Sequence, residues 1–473
     1  MASAHLIYNR MTKSKFFIPL IFLVISIACI TTNKNKQRNP APDSASKTIS
    51  DSSLLDIVEK QTFQYFFDGA DPMSGMAREG IDEANYPDND RLMVTSGGSG
   101  FGVMAILAAI HRNFISRDRG REQLEKIVNF LETADRFHGA WSHWINGETG
   151  KVKPFGKKDN GGDLVETSFM IQGLLCARQF FKDGNSKEKE LANRMDKLWR
   201  EVEYDWYCGP VPPAGEKKGG VLYWHWSPEY DWQMNFPVHG YNECLILYVL
   251  GASSPTHGVP AEVYHEGWAE NGNIKGNESY GGYTLHLRHQ GNAPHGGPLF
   301  WAQYSYLGLD PRGLKDEYAD YWEENKNQTL INRQWCIDNP KNFEGYGKDS
   351  WGLTASYSIK GYAAHAPDER NDLGVISPTA ALSSLPYTPE YSLQAMRHWY
   401  NDMKDKIWGS YGFYDAFSAT YNWYPKRYLA IDEGPVVVMI ENYRSGLLWN
   451  LFMSCPEVQH GLKKLGFTSP WLK

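Results

Sequence analysis

Residues 158–178 read KDNGGDLVETSFMIQGLLCAR, a polar, acidic opening that runs into a long apolar segment. A helix from Lys158 to Arg178 sets Asp159, Asp163 and Glu166 at i, i+4 and i+7, on one side within about two turns. Leu164, Ile171, Leu174 and Leu175 fall mainly on other faces and are available to a core. Gly161 and Gly162 let the backbone approach a neighbouring segment closely. The acids have two meanings at this point. They complement the positive end of the helix dipole, or they are gathered for chemistry in a cleft, and the rest of the chain has to separate the two.

Outward from that stretch, helices alternate with loops. Ser52 or Ser53 caps a helix through Phe67, and SGGSG at 96–100 leads into an apolar helix, Phe101–Phe114. Further helices are expected at Arg121–Phe137, Lys187–Trp206, His239–Leu250, Leu299–Leu307, Lys315–Asn339, Pro389–Trp408 and Pro435–Met453. Between them lie long aromatic, Gly- and Pro-rich loops, and strand alternation is nearly absent. Long loops in a compact domain usually carry function, and a helical toroid collects them at one end. No fixed-period repeat is evident, which disfavours a solenoid. A single all-α catalytic domain over 51–473 is expected.

Composition narrows the ligand. The chain has 473 residues, room for two or three domains or one large helical barrel. Its aromatic content is 14%, with 17 Trp and 28 Tyr, many in polar loops beside acids and amides. Such surfaces suit sugar rings, which offer an apolar face to stack and hydroxyls to bond. The net charge of −7 disfavours nucleic acid and anionic membrane as partners, since both demand clustered positive charge. Residues 1–28 read as an export signal: Arg10, Lys13 and Lys15 precede the apolar run Phe16–Ile27. Ser26-Ile-Ala-Cys29 resembles a lipoprotein box, so Cys29 is a candidate for lipid attachment and the cell envelope or periplasm for the location. Residues 29–50 are polar and read as a flexible tether. The scattered cysteines contain no CxxC, and no HExxH is present, so neither a metal nor a cofactor is expected. The protein is expected to be a monomer.

Glu243 opens an apolar helix within HGYNECLILY (239–248). A half-buried carboxyl beside Tyr241 and Cys244 has a raised pKa, which suits a general acid; an acid satisfied by backbone donors at a helix start is the alternative. Asp432 and Glu433 precede Pro435 where the last long helix begins, and Asp432 is either a cap or a base. Asp415, in GFYDAF, is a weaker candidate. Trp141, Trp224, His239 and Tyr414 are expected to contact sugar, as are Asp159 and Glu166, and Asp163 is counted with Glu243 and Asp432 among the catalytic candidates. Two carboxyl groups across an aromatic cleft, with no cofactor, are what glycoside hydrolysis requires.

Longer blocks carry a resemblance: GGDLVETSFMIQGLL (161–175), VLYWHWSP (221–228), HGYNECLILYVLGASSPTH (239–257), GPLFWAQYSYLGLDPRGL (297–314), WGLTASYS (351–358), ISPTAALSSLPYTPEYSL (376–393) and YLAIDEGPVVVMIENYRSGLLW (428–449). Together they resemble the glucoamylase-like bacterial β-1,2-glucanases of glycoside hydrolase family 144, from about Asp51 to Gly466. The resemblance implies an (α/α)6 barrel and inverting, metal-free hydrolysis of β-1,2-glucan or its oligosaccharides. It places Asp159, Asp163, Glu166 and Glu243 on the family's acidic positions, and Asp432 on the base position of a related arrangement. The family includes endo-enzymes and an exo-enzyme that releases sophorose. The Pro-rich loop 208–215, stiff enough to wall off one end of a cleft, favours exo action here. A polysaccharide lyase and a non-catalytic glycan-binding lipoprotein are the alternatives from other classes.

Overall fold

The computed structural model describes residues 49–84, 91–210 and 219–473. The expected export signal with Cys29, most of the tether, and residues 211–215 of the Pro-rich loop, Pro212 and Pro213 among them, lie outside the described residues.

The longer helices are α1 (Asp51–Phe67), α2 (Ser96–His111), α3 (Arg117–Leu131), α4 (Leu164–Phe181), α5 (Ser186–Arg200) and α6 (Leu245–Ser253). They continue as α7 (Tyr321–Asp338), α8 (Pro378–Ser383), α9 (Pro389–Asp402), α10 (Ala430–Arg444), α11 (Leu447–Met453) and α12 (Pro456–Lys464). Two kinds of helix alternate along the chain. In α2, α4, α6, α8 and α10 almost every residue is buried, polar ones included. By contrast α3, α5, α9 and α12 are amphipathic and bury one stripe. A helix that is apolar all round must be enclosed, whereas a striped one lies between core and water. An inner ring and an outer ring follow from that difference.

The inner ring closes on itself. α2 packs on α4 and α4 on α6. Ile246 N–H of α6 then donates to Ser305 Oγ at 3.0 Å, and Gln303 Nε2 donates to the Ala380 carbonyl of α8 at 2.9 Å. α8 packs on α10, and α10 returns to α2. The place between α6 and α8 is taken by two 3₁₀ turns, Leu299–Ala302 and Tyr304–Leu307, where the sequence leads one to expect a single helix. The result is an (α/α)6 barrel. Connections into outer helices are short, as at 112–116, 182–185 and 445–446, while those into inner helices run through 68–95, 132–163, 201–244 and 403–429. Short ribbons stiffen these long loops, and several end on the residue just before an inner helix: Met93–Thr95 before α2, Gly162–Asp163 before α4, Arg427–Leu429 before α10. The long loops therefore gather at the N-terminal mouth of the inner ring.

Of the helix boundaries that differ from the sequence expectation, three move an acid. The acidic helix starts at Leu164, so Asp159 lies in the preceding loop and Asp163 is the N-cap, accepting from Glu166 N–H at 2.9 Å. Gly161 and Gly162 are drawn into close packing against the Trp226 carbonyl and the Tyr207 hydroxyl, where a side chain would collide. Antiparallel pairing of Gly162 with Trp226 and Asp163 with His225 replaces the first helical turns. The helix expected from His239 begins at Leu245, which leaves Glu243 in the turn before it. The last long helix begins at Ala430, placing Asp432 and Glu433 in its first turn and Pro435 inside it, and breaks before Gly446 at φ +70°.

The closest seam of the inner ring is between α2 and α4, where Gly100 and Gly173 face each other. A methyl on Gly100 would lie 2.5 Å from Met170 Cα. Gly100→Ala is expected to destabilise the protein by about 1–3 kcal/mol through overpacking. A urea titration should show a lower midpoint at unchanged slope, and an unmoved midpoint would contradict the seam.

Candidate active site

A cavity of about 290 Å³ opens at the mouth of the ring. Three carboxylic acids line it, Glu79, Glu166 and Glu243, and its aromatic walls include Trp144, Phe155, Trp224, Phe300 and Tyr304.

The loop before α4 and the strand His225–Trp226 build one wall. Asp163 is fully buried, and its Oδ2 accepts from Trp224 Nε1 at 3.0 Å and faces His143 Nδ1 at 3.1 Å and His225 Nε2 at 3.4 Å. His225 Nε2 also lies 3.2 Å from Asp159 Oδ2, so one imidazole ties the two aspartates together. Burial pushes against ionising Asp163, but the bonds from His143 and His225 outweigh it and hold the carboxyl well below its ordinary range. Burial likewise opposes charge on the two imidazoles, yet the surrounding carboxylates raise both to about 9. With Oδ2 saturated and Oδ1 capping α4, Asp163 is an organising anion and has little capacity left for a reacting proton.

Glu166 stands one turn into α4, where its Oε2 accepts from Gly97 N–H at 3.0 Å. Gly97 permits this approach, since any side chain there would strike the carboxylate. Burial, only partly offset by His143, raises Glu166 to about 7. Glu243 is the more extreme case. It sits in the turn before α6, fastened by the Ser305 hydroxyl on its backbone carbonyl, and its Oε2 is buried with no hydrogen-bond partner among the described residues. Burial, with Glu166 and Asp163 nearby, raises its pKa to about 8. A carboxyl raised in this way holds its proton near neutral pH, and this one faces the cavity, the condition a general acid has to meet.

A second group of acids reaches the cavity through Tyr304, whose hydroxyl donates to Asp432 Oδ1 at 2.9 Å. Burial raises Asp432 to about 7. Asp415 and Glu433, behind it, are pushed well above the carboxylate range by burial and by Asp432. Glu79 lies 3.5 Å from the Arg427 guanidinium, which stacks over Tyr357 at 4.3 Å.

Of the residues singled out in the sequence, Glu243, Glu166 and Trp224 line the cavity, and Asp159, Asp163 and Asp432 stand directly behind it. Three expectations are corrected. Trp141 is wholly enclosed, its indole N–H donating to the Leu131 carbonyl at 3.1 Å, so it has no ring face to offer a sugar. His239 is half exposed, paired with Glu270 at 3.0 Å, and borders a separate shallow depression. Tyr414 is buried against Tyr428 and donates to Glu83 at 2.6 Å, away from the cavity lining. Sequence reasoning missed Tyr304 and Phe300, which sit in an apolar run and read as core. Tyr357 and Tyr362 were missed because the hairpin pairing Ala355–Ser358 with Gly361–Ala364 has no strong alternation. His143, Asp159 and Asp163 also bring ligand atoms within 4.8 Å of one another, a spacing open to a cation. Within that group Asp163 Oδ2 already faces Trp224, His143 and His225.

A buried acid cluster and an aromatic cavity at the mouth of an (α/α)6 barrel define a glucoamylase-like carbohydrate enzyme, and comparison with known proteins agrees. The family model described as "Putative glucoamylase" matches residues 235–456. An endo-β-1,2-glucanase from Chitinophaga pinensis, solved with sophorotriose and glucose, is 70% identical; the match covers 90% of this chain and 100% of that one, with a TM-score of 0.86. An exo-β-1,2-glucooligosaccharide sophorohydrolase (non-reducing end) from Parabacteroides distasonis is 46% identical over 88% of this chain, which spans 58% of that relative's length. An endo-β-1,2-glucanase from Talaromyces funiculosus, 11% identical over 85% of each chain, shares the fold at a TM-score of 0.60. The chain belongs to the β-1,2-glucanase family, glycoside hydrolase family 144.

The buried groups also set how stability varies with pH. Glu243 and Glu166, raised from 4.5, and His143 and His225, raised from 6.5, all bind protons more tightly in the folded state. Their contributions are present at low pH. The carboxyl part is lost between about 4.5 and 8 and the imidazole part between about 6.5 and 9. Asp163 works the other way, stabilising above its ordinary value of 3.8 and ceasing to do so as pH falls below it. Calorimetry should show Tm falling steadily from about pH 6 to 9. A Tm that is flat or rising over that range would show that these groups are not proton-rich in the folded protein.

Proposed function

We propose that this protein hydrolyses β-1,2-linked glucan or its oligosaccharides, with Glu243 as general acid and Asp432 as the base that takes the proton of the attacking water. The observation that carries the reading is the Glu243 carboxyl, buried with an unpaired Oε2 among the described residues and facing a cavity of aromatic rings, a setting that raises its pKa to about 8. Protonation of the glycosidic oxygen needs an acid that still holds its proton near the working pH, and burial supplies it. Once the proton is given up, the Glu243 anion is left buried, so water that enters to complete hydrolysis also restores solvation. Asp432 is reached from the cavity along the Tyr304 hydroxyl, an arrangement suited to passing a proton outward from the water. Glu166 lines the cavity and accepts hydroxyls beside the bond to be cut, while Asp159 and Asp163, bonded to His143 and His225, hold that wall in place from behind. Trp224, Phe155 and Trp144 provide faces for the rings. The resemblance to β-1,2-glucanases supports inversion of the anomeric centre and the absence of a metal from the reaction.

The relatives differ in mode. The one matched over its full length at 70% identity is named an endo-enzyme, and the one named an exo-enzyme is 46% identical. On that ground we read cleavage as internal, in place of the exo action that the Pro-rich loop suggested. Digestion of long β-1,2-glucan should yield a spread of intermediate lengths early in the time course, whereas sophorose as sole early product would overturn the endo reading.

Glu243→Gln removes the proton donor while keeping the shape. The variant should fold normally and bind β-1,2-glucooligosaccharide, with kcat lowered by about 100-fold or more. Wild-type kcat should fall above about pH 8 as Glu243 loses its proton. Intact turnover by the Gln variant would remove the acid assignment.

A further inference from the structure

Behind Tyr304 the structure holds more carboxyl groups than its cations can balance. Asp415 and Asp432 are buried in contact, and Glu433 follows Asp432 on α10. Asp415 Oδ1, Asp432 Oδ2 and Glu433 Oε1 accept no hydrogen bond among the described residues. The groups that face Asp415 come from several segments: Asp432 and Glu433 from α10, Arg427 from the strand before it, Tyr304 from the inner 3₁₀ turn, and Tyr362 from the hairpin. Glu79 faces Asp432 from the first long loop. Arg427 is the cation among them, and its guanidinium is also shared with Glu79 and Tyr357. Several buried carboxylates around one shared guanidinium cannot all be ionised, because each unpaired charge loses its hydration and repels the others. Two carboxyls in contact resolve this by sharing a proton.

The donors decide which of the two is charged. Asp432 receives the Tyr304 hydroxyl, which favours its ionised form. Asp415 receives no such donor and turns a bare oxygen into the cluster. We propose that Asp415 is the positioning residue of the hydrolytic base: it holds a proton and donates it to Asp432, so that Asp432 is the ionised member of the pair. Asp415 touches no substrate. It acts by keeping the neighbouring carboxylate charged and oriented along the Tyr304 hydroxyl toward the cavity. The pKa pattern agrees, Asp415 lying well above the carboxylate range and its hydrogen bond pulling Asp432 downward.

The role of Asp415 in catalysis rests on the proposed hydrolysis, while the proton-sharing pair does not, and the test separates the two. Asp415→Asn supplies a permanent donor of the same shape, and Asp415→Leu supplies none. In pH profiles of kcat/KM on β-1,2-glucan, the Asn variant should keep its acidic limb within about half a pH unit of wild type. The Leu variant should move that limb up by about one to two units, the worth of one hydrogen bond to a charged group. Its bell should narrow accordingly, with activity at pH 6 falling about 10- to 100-fold and partly returning near pH 8. Equal losses in both variants at every pH would mark Asp415 as a packing residue and overturn the proposal. Without substrate, infrared difference spectra at neutral pH should show the carbonyl stretch of a buried protonated carboxyl in wild type and its loss in Asp415→Asn. If no such band is lost, the acid pair is overturned whatever the activity. If the band is lost but the enzyme does not cleave β-1,2-glucan, the functional reading and the positioning role fail and the acid pair stands.

Discussion

Carboxyl groups withdrawn from water must find cations and donors or keep their protons, and at the mouth of this ring both solutions occur within one cavity. Asp163 is surrounded by His143, His225, Trp224 and a backbone N–H, and is held ionised. Glu243 has an oxygen with no hydrogen-bond partner among the described residues and two acids nearby, and its pKa is raised to about 8. Two carboxyls pushed in opposite directions by their surroundings are the basis for assigning acid and anion in such sites. The barrel supplies the condition for both, because inner helices buried on all sides deliver their first residues to the mouth where the long loops gather.

The same burial needs small residues at particular points. Gly97 lets Glu166 reach a backbone donor, and Gly161 and Gly162 let the loop before α4 lie flat against the Trp226 strand. That contact carries His225 to Asp159 and Asp163 together. The α2–α4 seam, closed by Gly100 and Gly173, holds the two walls of this half of the site at fixed separation. Packing and chemistry are therefore not separable here: a methyl group in the seam would shift the acids as well as the core.

Much of the ring was legible in the sequence. Runs such as 101–110 and 245–252 are apolar on every face and could only be inner helices, and 187–199 carries one apolar stripe suited to an outer one. The acids were found as well, though the convergence of Asp159, Asp163 and Glu166 arises from a strand and a cap and owes little to helical periodicity. Trp141 and Tyr414 misled because an aromatic in a polar loop looks available to a sugar, and only the fold shows that its ring is enclosed. Tyr304 misled in the opposite sense. Its sequence neighbours are core residues, and a break between two 3₁₀ turns aims its hydroxyl at Asp432. Long-range partners of this kind, 128 residues apart, leave no local signature.

The central claim is that Glu243 retains its proton at neutral pH because it is buried beside other acids, with one oxygen unpaired among the described residues. Carbon-13 NMR of the glutamate side-chain carboxyls, titrated in wild type and in Glu243→Gln to assign the signal, measures this directly. The account predicts a resonance that titrates near pH 8 and is missing from the variant. A Glu243 signal that titrates near the ordinary 4.5 would contradict it.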